Sequence, residues 1–293
     1  MHDNLETLVS SPSTTSKYSP RGPYDHLADA QLLAVLSAWC AAQCPHPIQQ
    51  QETEIYYHTV SPRSWFFKSC ADGASVLDMG AGNGALSVYK EWPPLVRPDI
   101  DLYGVSLEPI DRAATYKAVS ISNFETNPRP FPLVHFDAVI AAHFIEHLAD
   151  PTSFVRWVVS QLKPGGGMYL EWPHPFARRM PGREFFIDRG LPVFTTQFMD
   201  DDTHVEPWPA ETILDLALAS GLHVETWGRI ILPRLANQLR DIARRDQDMV
   251  AGTFAVWAAV GWAQYVVLFK PADQAGGADA VVQPRLDERR SGQ

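Results

Sequence analysis

Residues 76–84 (VLDMGAGNG) place an acid and three alternating glycines directly after a short apolar run. A run of this length is typical of a buried central strand of a parallel sheet. The glycines permit a tight turn without Cβ clashes, so backbone amides can approach a ligand closely. Ala85 to Tyr89 is predicted to open a helix whose N-terminus faces that ligand. Strand, glycine turn and helix in this order indicate a nucleotide-type pocket.

Two acids near this turn narrow the chemistry of the ligand. Asp78 immediately precedes the turn, where it would repel a pyrophosphate but suit an ammonium group. Glu108 ends the next apolar run, at about the spacing where a carboxylate binds ribose hydroxyls in such folds. The glycine spacing is G-x-G-x-G, whereas dinucleotide sites have G-x-G-x-x-G. The pattern therefore favours an adenosine with a zwitterionic tail over a dinucleotide.

Further motifs follow in a fixed order over about a hundred residues. They are FDAVI at 136–140, HFIEHLADP at 143–151, LKPGGG at 162–167 and MYLEWP at 168–173. With the glycine turn, they make the chain similar to the class I, seven-strand S-adenosylmethionine-dependent methyltransferases. The resemblance implies a doubly wound, mostly parallel, seven-stranded Rossmann-like α/β sheet that carries an N-terminal helical segment and two pocket-side insertions.

The resemblance also implies how the cofactor S-adenosyl-L-methionine is held. The backbone of Gly80, Ala81 and Gly82 contacts it, and Glu108 accepts both ribose hydroxyls. Asp78 pairs with the methionine ammonium, directly or through water; alternatively, it caps the amides of its own turn. An acid usual in the family at the adenine is replaced here by Asn123, whose amide oxygen can accept from the exocyclic amine. The remaining expected cofactor contacts are Pro109, Phe124 (packed on the adenine), Ala142 and His143.

Methyl transfer to an acceptor that carries a proton calls for a general base, most often histidine. His143 follows the fourth strand, where the family places a residue near the methyl group, so it is the leading candidate unless only its backbone matters. Glu171, His174 and His204 lie at or beyond the end of strand five and are the other catalytic candidates. His174, His204 and a carboxylate could together hold a metal, but their spacing matches no ligand motif and no metal is expected.

Composition restricts the partners. The formal net charge of −10 and the lack of a Lys/Arg block argue against a nucleic-acid substrate. No apolar run is long enough to span a bilayer, and no signal-peptide pattern is present. Three cysteines without a C-x-x-C pair fit a reducing compartment. We expect a cytoplasmic enzyme that acts on a small molecule.

Hydrophobic spacing and turn residues divide the chain into a core with appendages. We expect a flexible tail at 1–22, a helical or lid segment at 23–73, the methyltransferase core at 74–271 and a disordered tail at 272–293. Insertions at 174–208 and 229–262 extend the core. The second is predicted to be helical, and its apolar end covers the pocket or forms a homodimer interface. The predicted helices are 24–43, one after Glu108, 152–162 and 209–220. The later strands are 118–122, 136–142, 168–173, 223–227 and 264–270, and the resemblance implies that the last two form an antiparallel hairpin at the sheet edge.

The sequence therefore predicts a methyltransferase that acts on a small organic molecule in specialised metabolism. One alternative keeps the pocket but cyclises the cofactor or transfers its aminocarboxypropyl group. A third hypothesis is a non-catalytic protein that only binds the cofactor.

Overall fold

A computed structural model describes residues 21–45, 47, 49–93, 95–127 and 130–272. The two predicted tails therefore fall almost wholly outside the described residues. Within these ranges, no helix combines the length and the apolar character that a membrane span requires.

Seven strands form one mixed sheet in the order β3-β2-β1-β4-β5-β7-β6. The first five are parallel, and β7 runs antiparallel to both β5 and β6, which confirms the predicted antiparallel pair at the sheet edge. The chain reverses its direction of strand addition between β1 and β4, where open α/β sheets bind ligands. The strands are β1 Ser75–Met79, β2 Asp101–Ser106, β3 Ala118–Ile121, β4 Phe136–Ala142, β5 Leu162–Pro173, β6 His223–Arg229 and β7 Ala263–Phe269.

Helices cover both faces of this sheet. Three precede the sheet, α4 and α6 flank it, and α7 and α8 form a pair between β6 and β7. They are α1 Asp29–Ala41, α2 Gln50–Val60, α3 Pro62–Ser69, α4 Pro151–Gln161, α5 Arg183–Ile187, α6 Ala210–Ala219, α7 Pro233–Asp246 and α8 Met249–Val260.

Two predicted helices form only as short 3-10 helices. A 3-10 helix, Ala85–Lys90, replaces the expected α-helix after the glycine turn, and Pro93 soon prevents its continuation. The expected helix after Glu108 is reduced to the 3-10 turn Ala113–Thr115. The ligand-facing end of β1 therefore lacks a long helix, so the aligned peptide dipole there is weaker than the sequence suggests.

The two insertions have different roles in the packing. The segment 174–208 fills a second hydrophobic core with α1 and α8, where Phe186 and Phe198 are buried beside Trp262. The indole N–H of Trp262 donates to the carbonyl oxygen of Thr196 (2.7 Å), which fixes this segment to the start of β7. The segment 229–262 is helical, as predicted, and its helices face a cavity beside the sheet.

Candidate active site

The glycine turn after β1 adopts the backbone that its sequence requires. Gly80, Gly82 and Gly84 all have positive φ, at +74°, +53° and +85°. The amides of Gly80 and Ala81 both donate to the carbonyl oxygen of Val105, so they are not free for a ligand. A Cβ on Gly82 would meet nothing closer than 3.9 Å. The turn therefore presents an open face at Gly82, against which a flat ligand can lie.

Asp78 is buried at the base of this turn. It accepts a hydrogen bond from the Tyr116 hydroxyl (2.7 Å), and not from the turn amides that the alternative interpretation invoked. Burial raises the pKa of Asp78 to about 6, against the opposing effects of Tyr116 and the Arg63 charge. A buried carboxylate with a raised pKa gains from a cation placed beside it. This is the environment expected for a carboxylate that meets an ammonium group.

The other predicted cofactor contacts lie at the ends of β2, β3 and β4. Glu108 and Pro109 are exposed just beyond β2, and Ala142 is the last residue of β4. The Asn123 side chain accepts from the amide of Glu125 (2.8 Å), so it is already engaged in a local turn. Phe124 is buried edge-on against neighbouring aromatic rings of the main core. Packing of its ring on an adenine stays a prediction.

His143 is not placed to act as a general base. Its ring nitrogens lie 3.4 Å from a Glu146 oxygen and 3.2 Å from a Glu171 oxygen. Burial alone would lower the pKa of His143, but these carboxylates outweigh it and raise the pKa to about 9. The imidazole is thus protonated at neutral pH and has no lone pair to offer. Its backbone is unusual for a non-glycine residue, with φ +54°.

Glu171 lies at the centre of a buried ionic network. It receives the Arg63 guanidinium at 3.1 Å and the Tyr169 hydroxyl at 2.6 Å. Burial opposes ionisation, but Arg63 and His143 prevail and hold the pKa of Glu171 at about 2. A carboxylate this acidic is a poor proton acceptor, so Glu171 orders its neighbours and does not serve as a base.

The two remaining catalytic candidates are also engaged elsewhere. His174 is buried, its Nδ1 accepts from the Phe176 amide (3.0 Å), and burial with the Arg229 charge lowers its pKa to about 3. His204 stacks on Phe198, and its Nδ1 lies 2.6 Å from that residue's carbonyl oxygen. Neither residue lines the cavity described below.

His204 lies next to His147 and Glu146 instead of His174. One ligand atom from each of these three residues falls within 4.8 Å of the others. The fold therefore brings His204 together with Glu146 and His147, and not with His174 as the sequence suggested.

A cavity of about 510 Å³ opens beside the glycine turn and reaches Glu171. One wall comes from α2 and α3 and is polar and aromatic, with Thr53, Tyr57, His58, Ser61 and Arg63. Ala85, Val88 and Tyr89 of the 3-10 helix continue this wall next to the turn. The wall from α7 and α8 is mainly aliphatic and aromatic: Leu235, Leu239, Ile242, Val250, Ala251, Phe254, Trp257 and Ala258. The insertion 229–262 thus covers the pocket, whereas no residue of 174–208 is among those that line it.

Three residues of this site were missed by sequence reasoning. Arg63 and His58 stand in the aromatic run from Tyr56 to Phe67, and polar residues in such a run are a signal of a buried polar site. Nothing in the sequence marks Tyr116 as the partner of Asp78, because the two residues are far apart in the chain and only the fold brings them together.

Comparisons with known proteins identify the family of the chain. A family model described as a methyltransferase domain matches residues 55–226. The chain is 30% identical over 173 residues to a ubiquinone biosynthesis O-methyltransferase of Xanthomonas axonopodis pv. citri (strain 306), which covers 53% of this chain and 68% of that protein. The chain is 29% identical to the protein of the same name from Xanthomonas campestris pv. campestris (strain B100), and the alignment again covers 53% of this chain and 68% of that protein. A solved SAM-dependent methyltransferase from Archaeoglobus fulgidus is 19% identical, with a TM-score of 0.45, and covers 74% of this chain and 94% of that one.

Proposed function

This chain belongs to the S-adenosylmethionine-dependent methyltransferase family, and from that premise we propose that it methylates a hydroxyl oxygen of a small, largely apolar molecule. The cavity carries the proposal, because it joins a polar wall to an aliphatic one next to the glycine turn. Its size suits one small organic molecule and not a macromolecule. The curated relatives are O-methyltransferases by name, which supports an oxygen acceptor.

The residues of the turn fit the cofactor. In this proposal Gly82 offers its open face, Asp78 meets the ammonium and Glu108 accepts the ribose hydroxyls. Gly80, Ala81, Pro109, Asn123, Phe124, Ala142 and the backbone of His143 complete the proposed cofactor site. When bound, the cofactor supplies an electrophilic methyl group on a sulfonium. The protein's own contribution is to place the acceptor hydroxyl in line with that methyl and to exclude water.

The proposal extends to the acceptor's chemistry but not to its pathway. The relatives are named for ubiquinone biosynthesis and not for a specialised pathway, so the expected link to specialised metabolism gains no support from them. The formal net charge of −10 argues against a nucleic acid as the acceptor. A homodimer formed through α8 stays a prediction.

Product analysis tests the proposal. The protein is incubated with S-adenosylmethionine and 4-propylphenol or 4-propylcatechol, and products are separated by mass spectrometry. We expect S-adenosylhomocysteine and the methyl ether in equal amounts. Methylthioadenosine in place of S-adenosylhomocysteine would instead support cyclisation or aminocarboxypropyl transfer, and cofactor binding without any product would support a non-catalytic protein.

A pair of matched variants ties the activity to the cavity. Leu239→Trp adds bulk to the aliphatic wall and is expected to lower turnover at least tenfold while S-adenosylhomocysteine still binds. Leu218→Trp makes the same change on the exposed side of α6, away from the cavity, and is expected to leave turnover unchanged. Equal effects of both variants would show that the acceptor does not bind in this cavity.

A further inference from the structure

We propose that His58 is the general base of this methyl transfer and takes the acceptor's hydroxyl proton on its Nε2 atom. The inference rests on the proposed function, because it requires a hydroxyl acceptor in the cavity. His58 was not among the candidates that the sequence suggested.

The position of His58 is the first support. Its side chain lines the same cavity as Ala85 and Val88, the residues that directly follow the glycine turn. None of the other catalytic histidine candidates, His143, His174 and His204, lines that cavity. Among the described residues, His58 is therefore the imidazole that an acceptor in this cavity can meet.

The orientation of the ring is the second support. The ring stacks on Trp92 (centroids 5.8 Å apart, planes 10° apart) and meets Tyr89 edge-on at 4.7 Å. Its Nδ1 lies 3.2 Å from the hydroxyl oxygen of Ser64, which is fully buried. When the Nδ1–H donates to Ser64, Nε2 carries the lone pair that a base needs. No described residue hydrogen-bonds to Nε2, so a ligand can.

Burial and the surrounding charges keep this imidazole neutral. Burial, together with the charges of Lys68 and Arg63, lowers the pKa of His58 to about 4, which also makes the ring a weaker proton acceptor than an ordinary histidine. Glu54 and the hydroxyls of Tyr57 and Tyr89 are the other titratable groups on that wall. At neutral pH the ring is unprotonated and available. The nearby Arg63 guanidinium, whose Nε hydrogen-bonds to no residue that the structure describes, also favours negative charge on the acceptor oxygen.

The proposed step balances without a further reactant. The acceptor O–H bond breaks and its proton passes to Nε2 of His58, while the oxygen's electron pair forms the bond to the methyl carbon. The electron pair of the broken carbon–sulfur bond remains on sulfur. The imidazolium then returns its proton to water when the product leaves.

A series of phenols tests the role by turnover. The probes are 4-propylphenol, 2-fluoro-4-propylphenol and 2,6-difluoro-4-propylphenol, which grow more acidic with little change in size. We expect His58→Asn to lower kcat by roughly 10²- to 10³-fold for the parent phenol and much less for the difluoro compound, which needs no base. His223→Asn, the same change at an exposed histidine on β6, is expected to leave kcat unchanged. An equal loss for all three phenols, or no loss, would overturn the role of His58 while the proposed methyl transfer stands.

A binding measurement on the unaltered protein gives an independent answer. In protein labelled with ¹⁵N at histidine, 4-propylphenol is expected to shift the Nε2 resonance of His58 and not that of His223. The free protein should show the tautomer protonated on Nδ1. If phenol leaves His58 unshifted, the inference is wrong whether or not turnover occurs; if His58 shifts but no phenol is methylated, the proposed function fails instead.

Discussion

Replacing Glu171 by glutamine separates a structural role of this residue from the catalytic role that its position suggests. The change keeps the side-chain size but removes the anion between Arg63 and His143. The half-buried Arg63 guanidinium then loses its carboxylate partner, while His143 keeps only Glu146, and breaking a buried pair in this way typically costs about 3–5 kcal/mol. Because the pKa of Glu171 lies at about 2 in the folded protein and at 4.5 ordinarily, linkage gives about 3 kcal/mol at pH 7.

The pH dependence gives this prediction its sign. A lowered folded-state pKa means that Glu171 contributes its full stability above pH 4.5 and loses it as the pH falls toward 2. The difference between the wild-type protein and Glu171→Gln should therefore shrink by about 2 kcal/mol between pH 7 and pH 3. Urea unfolding at both pH values measures it.

Glu206→Gln is the matched control, because it breaks the exposed Arg178–Glu206 pair (2.9 Å) and should cost about 1 kcal/mol or less. A cost below about 1 kcal/mol for Glu171→Gln at pH 7, combined with a collapse of kcat, would refute the reasoning. Such a result would support the catalytic role of Glu171 that was predicted from the sequence.

Three further predictions concern the cofactor site and the acid limb of stability. Glu108→Ala should weaken S-adenosylmethionine and S-adenosylhomocysteine at least tenfold in isothermal titration, and unchanged affinity would exclude Glu108 as the ribose ligand. Gly80→Ala should destabilise the protein by about 1–3 kcal/mol, because φ is +74° and the new Cβ would lie 3.0 Å from Phe144; a neutral result in urea unfolding would contradict this. His174 has a folded pKa of about 3, so its stability contribution is present above pH 6.5 and is lost as the pH falls. His174→Asn should therefore flatten the loss of Tm between pH 6.5 and pH 4, and an unchanged slope would show that His174 titrates normally.

The sequence was most informative where the signal is local. Short apolar runs that end in Asp78, Glu108 and Ala142 predicted the central strands, and the chain order of the motifs predicted the sheet. Alternating glycines predicted the turn, because glycine lacks a Cβ and adopts positive φ readily. The insertion 229–262 was also predicted as helical, and it forms α7 and α8.

The protonation states of the candidate catalytic residues were not predictable in the same way, because they are set by partners distant in the chain. Arg63 reaches Glu171 across 108 residues and helps make that carboxylate strongly acidic. The same carboxylate, with Glu146, holds His143 protonated. The motif position therefore predicted His143 as a site residue but not its protonation state. The polar cavity wall comes from α2 and α3, whose residues match no motif that we could identify.

A crystal structure with S-adenosylhomocysteine and 4-propylphenol tests the central claim most directly. We expect S-adenosylhomocysteine to lie across Gly82, with its ribose hydroxyls bound to Glu108. Its sulfur should face the cavity between α2 and α8, and the phenol hydroxyl should lie next to His58. A sulfur that faces away from this cavity, or a phenol bound elsewhere, would contradict the account.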